Sequence, residues 1–148
     1  MNAGWIIPFI IVGGVLQTFG AAMNGQLNKH IVNPWLASAI SFALITFFFV
    51  GAFFIIPHPL PTREEIASMP WWAVIGGLVG AVQVYAGLTL VNKVGAGPFV
   101  GFTVTAALIT SLVVDHFGWF RMDQHPITLW RAMGGVLLVG GVTLIAKF

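Results

Sequence analysis

PWLASAISFALITFFFVGAFFII, residues 34–56, contains no charged side chain from end to end. A helix needs about 20 mostly apolar residues to cross the roughly 30 Å hydrocarbon core of a bilayer, so this run is long enough to span one. In water such a helix would have to be covered on every side. The rest of the chain cannot cover it: 58% of all residues are hydrophobic, only 7% are charged, and the mean hydropathy is +0.96. Soluble domains carry about 25% charged residues. The solvent of this chain is lipid.

Working outward, four more segments meet the length requirement, at 5–27, 70–91, 96–114 and about 128–146. The expected fold is an all-α integral membrane protein of five transmembrane helices, forming a single transmembrane domain over 1–148. Pro34, Pro70 and Pro98 open spans or sit just inside them, where a missing N–H costs nothing. Between the second and third spans, Thr62 and Glu65 have the spacing of a capping box, so a helical turn is expected ahead of Pro70. Residues 28–33 and 92–95 are read as short connections. The fifth span begins with Arg131 one turn inside it, so that side chain has to reach back to the interface.

Composition also excludes several functions. There is no cysteine, so no disulfide and no thiolate metal site can form. The four histidines lie in loops or at span ends, no metal-ligand spacing appears, and no cofactor is expected. A net charge of +2, thinly spread, gives no nucleic-acid footprint. No nucleophile–base pair is present, so an enzyme is not expected. The opening MNAGW lacks a basic flank, and the first apolar run reads as a retained span rather than a cleaved signal.

The chain repeats itself. NKHIVNPW at 28–35 aligns with NKVGAGPF at 92–99, a shift of 64 residues from 28 to 92, and the same shift carries ALIT at 43–46 onto ALIT at 107–110. Two tandem helix hairpins followed by one extra helix are the architecture this predicts. Charge gives no orientation: Lys29, Lys93 and Lys147 fall on one side of the membrane, and Arg63, Arg121 and Arg131, with the N-terminal amine, fall on the other. A chain without a positive-inside bias is a candidate for dual topology. Two oppositely oriented copies would then pair as an antiparallel homodimer, supplying the inverted symmetry that many transporters carry within one chain.

Amides inside spans are costly unless paired or wetted. Gln17 and Asn24, seven apart, share a face of the first span with Gly13, Gly14 and Gly20. Gln83 shares the third span with Gly76, Gly80 and Gly87, and Gly97 and Gly101 open the fourth. The glycines are expected to pack helices or a dimer interface, in the small-xxx-small manner. Gln17, Asn24 and Gln83 are the expected lining of a polar cavity, with Tyr85, Thr103, Thr105, Ser38 and Ser41 ranked below them. Hydroxyls often bond their own helix instead. Gln26, near the end of its span, reads as interfacial. No carboxylate lies at mid-span. Asp115, at the end of the fourth span, is the only candidate for proton coupling, against a structural role pairing Arg121 or Arg131.

These residues resemble the drug/metabolite transporter superfamily, in its small five-helix YdcZ-type branch. The resemblance lies in GGVLQTFGAAMNGQL at 13–27, PWWAVIGGLVGA at 70–81, SLVVDHFGWF at 111–120 and MGGVLLVGG at 133–141. It implies a multi-pass protein of the bacterial inner membrane that works as a dimer and moves a small solute by alternating access. In the related small multidrug resistance family, a first-helix glutamate exchanges protons for cations. Here Gln17 stands at the comparable depth and cannot titrate, and Ala107 stands where relatives carry glutamine. A small polar or amphipathic solute is therefore the expected partner, besides membrane lipid. The competing expectation is a non-transporting scaffold or accessory subunit that uses its glycine faces only for packing.

Overall fold

The computed structural model describes residues 3–148. The N-terminal amine, placed with the arginines above, lies outside them. Helix α1 covers Ile6–Ile31, α2 Pro34–Ile55, α3 Arg63–Ser68, α4 Gly76–Val94, α5 Ala96–Phe117 and α6 Leu129–Lys147. With the 3-10 turn Ala73–Ile75 added to α4, five helices are long and apolar enough to cross a membrane. Only α3, six residues long, is too short. The protein is all-helical among the described residues, and its spans are nearly bare: between 0% and 17% of each apolar window is buried. Phe47, Phe48 and Phe54 on α2 are 70–79% exposed. Such a surface belongs in hydrocarbon.

Local chemistry explains the helix ends. Val32 closes α1 in the left-handed region (φ 64°), its N–H donating to the Asn28 carbonyl at 2.8 Å. The Asn33 side chain then accepts from the N–H groups of Trp35 and Leu36, and Pro34 supplies a first helical residue with no N–H to satisfy. A two-residue turn thus reverses the chain. α1 runs four residues beyond Leu27, so Asn28–Ile31, assigned above to a connection, is helical; α4 likewise carries Asn92 within its last turn. Polar residues there looked like loop, but the backbone continues while its i→i−4 bonds are available.

The capping box forms as expected. Thr62 Oγ1 accepts from the Glu65 N–H at 3.2 Å, and the Glu65 carboxylate accepts from the Thr62 N–H at 2.7 Å. The bond from the Thr62 backbone, then that from its hydroxyl, holds the Glu65 carboxyl below its ordinary range. A lowered folded-state value means that this contribution is present above the unfolded carboxylate value and is lost as pH falls through the folded one. In a side-chain NMR titration, Glu65 should therefore ionise below the ordinary glutamate range, and Thr62→Ala, which removes the hydroxyl bond but keeps the backbone N–H, should return it only part of the way.

The chain divides into two compact units, one ending at Lys93 and the other comprising Val94–Phe148. The first holds α1, α2 and nearly all of α4; the second holds α5 and α6. In the second, Phe99 and Val142 are buried, and Gly101 is the contact point, since a Cβ there would come within 2.5 Å of Val142 Cγ2. In the first, burial gathers at one end, on Ala37, Gly87, Leu88 and Val91.

Candidate functional site

Three spans of the first unit meet where α1 ends, α2 begins and α4 ends. Gly25 is buried there, its missing side chain leaving room for Val91 and the Asn92 amide. Asn28 Nδ2 donates to the Leu88 carbonyl at 3.0 Å, and Asn92 Nδ2 donates to the Gly25 carbonyl at 2.7 Å. Asn28 Oδ1 is buried without a hydrogen-bond partner among the described residues. One turn away, Ser41 donates to Asn24 Oδ1 at 3.1 Å, linking α2 to α1. The rings of Trp35 and Tyr85 lie 4.8 Å apart at 34°, linking α2 to α4.

Of the cavity residues expected above, the structure brings Asn24 and Ser41 together and sets Tyr85 at the same end of the unit. Gln17 and Gln83 do not join them. Both stand exposed on their helices, with no hydrogen bond to any described residue. Ser38 bonds the Pro34 carbonyl at 2.7 Å, and Thr103 bonds those of Phe99 and Val100 at 3.0 Å each, so both hydroxyls are occupied within their own helices. Thr105 is buried on α5, beside an apolar groove of about 420 Å³ shared with Gly101, Gly141 and Val142 of the same unit. A second apolar groove, about 380 Å³, runs between Leu112 and Gly135.

The glycines divide in the same way. Gly87 is buried and Gly101 is tightly packed, whereas an added Cβ at Gly13, Gly14, Gly20, Gly76 or Gly80 would meet nothing within 4 Å. Gly97 is nearly as open, with only Ile145 at 4.0 Å. Close packing thus falls on Gly25 and Gly87 in the first unit, and the Gly76-x-x-x-Gly80 face is left uncovered by the chain. Asn28, Asn92, Trp35 and Gly25 were not among the expected site residues. The matched NK pairs of the 64-residue repeat carried the signal for both asparagines.

At the far end of the second unit, Arg131 donates to Asp115 Oδ2 at 2.9 Å and to the His125 carbonyl at 2.8 Å. The His125 N–H returns to the Asp115 carbonyl at 2.8 Å, and the Ile127 N–H donates to His116 Nδ1 at 3.1 Å. Gly118, with φ 62°, allows the sharp exit from α5 that this loop needs. Arg131 is thus held at the start of α6 by the end of α5 and the loop between them. Asp115 is a structural partner in this arrangement. The three lysines lie exposed in the last turns of α1, α4 and α6, where the helix dipole favours a cation. Arg63 starts α3, and Arg121 sits in the Trp119–Arg121 turn; both are exposed. Among the described residues, no group of acidic or histidine side chains could hold a metal ion.

Residues 5–144 match the family described as "Putative inner membrane exporter, YdcZ". The chain belongs to this family. It is also 25% identical to the inner membrane protein YdcZ of Escherichia coli (strain K12), in an alignment covering 99% of this chain and 98% of the relative. No solved structure matches it significantly. With five apolar spans, this YdcZ-family chain is a multi-pass inner-membrane protein.

Proposed function

We propose that the protein exports a small polar or amphipathic solute by alternating access, working as an antiparallel homodimer of dual topology. The observation that carries this reading is the pair Gln17 and Gln83. Two amides stand on the apolar faces of separate spans, exposed, with no partner among the described residues. An amide left facing hydrocarbon costs several kcal/mol, so each needs water, solute or another chain. A solvated path between two copies supplies all three. The open glycine faces beside them leave room for a close approach by a second copy. The three-against-three balance of lysines and arginines supports insertion in both orientations.

The test is uptake into everted vesicles, whose outer face is the cytoplasmic one, of a panel of small neutral and cationic amphiphiles. Gln17→Ala and Gln83→Ala should each slow flux of the transported compound on the order of 3- to 30-fold, the equivalent of losing one intramembrane hydrogen bond. Dimer cross-linking should persist, and a C-terminal reporter should appear on both faces of the membrane. Unchanged flux in both variants would refute the assigned lining, and a reporter on one face only would refute the dual topology.

A further inference from the structure

Among the described residues of the first unit, the buried positions and the hydrogen bonds between spans gather at one end. They lie within 24–28 of α1, 35–41 of α2 and 85–92 of α4, as does the Trp35–Tyr85 ring pair. Away from that junction, no residue from Ile6 to Gln17, from Leu44 to Ile55 or from Gly76 to Gln83 is buried. The tie is also reciprocal. Asn28 and Asn92 are equivalent positions of the internal repeat, and each amide reaches across to a backbone carbonyl of the other's helix, Leu88 for one and Gly25 for the other. Backbone carbonyls within a helix keep a second lone pair, so these bonds form without disrupting either ladder.

We infer that the Asn28–Asn92 clasp, closed over Gly25, is a pivot about which α1 and α4 swing, and that the ends bearing Gly13 and Gly76 open and close. Two bonds to fixed backbone atoms resist sliding along the helices, while tilting about the contact strains them little. Gly25 keeps the axes close enough for both short amides to span the gap. Asn28 Oδ1, buried with no partner, gives the clasp an acceptor still to be filled when the tilt changes. Distance along the helices amplifies the motion. At 1.5 Å per residue, Gly13 lies about 18 Å from Gly25, so a tilt of roughly 10° moves it about 3 Å. The inference rests on the transport reading for its use, but not for its test.

The test exploits a chain with no cysteine. Spin labels are placed in one sample at Lys29→Cys with Lys93→Cys, beside the clasp, and in another at Ile11→Cys with Leu78→Cys, at the open end. Each labelled protein is diluted with unlabelled chain in lipid nanodiscs, without solute. The open-end distance distribution should be at least about threefold wider than the clasp-end one, because the labels stand roughly 20 Å from the Gly25–Val91 contact at one end and about 3–6 Å from it at the other. Asn92→Ala should broaden the clasp-end pair. Equal widths at both ends, or a clasp-end distribution that Asn92→Ala leaves unchanged, would overturn the pivot. Export is read separately in vesicles, so a chain with unequal widths and no flux would refute the function and leave the pivot standing.

Discussion

Gly25→Val should be the most damaging single substitution in the first unit, lowering stability by about 2–5 kcal/mol. A Cβ at position 25 would run into Val91 Cγ1 and lie 3.2 Å from both the nitrogen and the oxygen of the Asn92 amide. Val91 cannot turn aside, because a valine in a helix has one strongly preferred rotamer. The helices would have to separate, and the Asn92–Gly25 bond would break with them. Overpacking of a tight contact costs roughly 1–3 kcal/mol, and an interhelical hydrogen bond in lipid is worth about 0.6–2 kcal/mol. Reversible unfolding in detergent should show the loss. Adding Val91→Ala should restore about 1–2 kcal/mol, because the two positions touch and their effects couple. Gly13→Val, where nothing lies within 4 Å, should leave monomer stability almost unchanged.

The second large effect is expected at the other unit. Arg131→Met removes both guanidinium bonds, to Asp115 and to the His125 carbonyl, and should cost about 2 kcal/mol. The pair is partly solvated, with Arg131 36% and Asp115 23% exposed, so the loss belongs near the lower end for charged bonds. Asp115→Asn should cost less, about 1 kcal/mol, because an amide oxygen still accepts from Arg131. Hydrogen exchange between Gly118 and Ile127 should rise in Arg131→Met and change little in Asp115→Asn. Asp115→Asn also separates structure from coupling. If the carboxylate carried protons, export would collapse in a protein that is nearly as stable. The arginine pairing predicts export within about fivefold of wild type, since about 1 kcal/mol corresponds to roughly fivefold.

The spans were readable because crossing a bilayer is a local demand. Twenty apolar residues from Pro34 onward meet it whatever lies beside them, and so do the cap at Thr62–Glu65 and the turn at Asn33–Pro34, whose partners are three residues away or fewer. The faces of the spans were less readable. In water, a polar face marks the outside of a helix; in lipid, both the packed and the free face are apolar. Gly13, Gly14, Gly76 and Gly80 therefore looked at least as good for packing as Gly25 and Gly87. The polar residues misled for a related reason. Asn28 and Asn92 sat at the edges of apolar runs and read as connections, yet each spends its amide on the neighbouring helix.

Residue order shows five segments long and apolar enough to cross a membrane, the caps, the repeat that pairs Asn28 with Asn92, and the even division of lysines and arginines. The first two follow from hydropathy and hydrogen bonds along short stretches of chain, and the last two from comparing segments of the chain without any tertiary contact. Tertiary structure alone decided that Gly25 is the contact, that Asn24 meets Ser41, that Asp115 is held by Arg131, and that Gln17 and Gln83 have no hydrogen-bond partner among the described residues. Those outcomes depend on the rotation of each helix about its own axis. Lipid does not favour one rotation over another, so packing against other helices has to choose it.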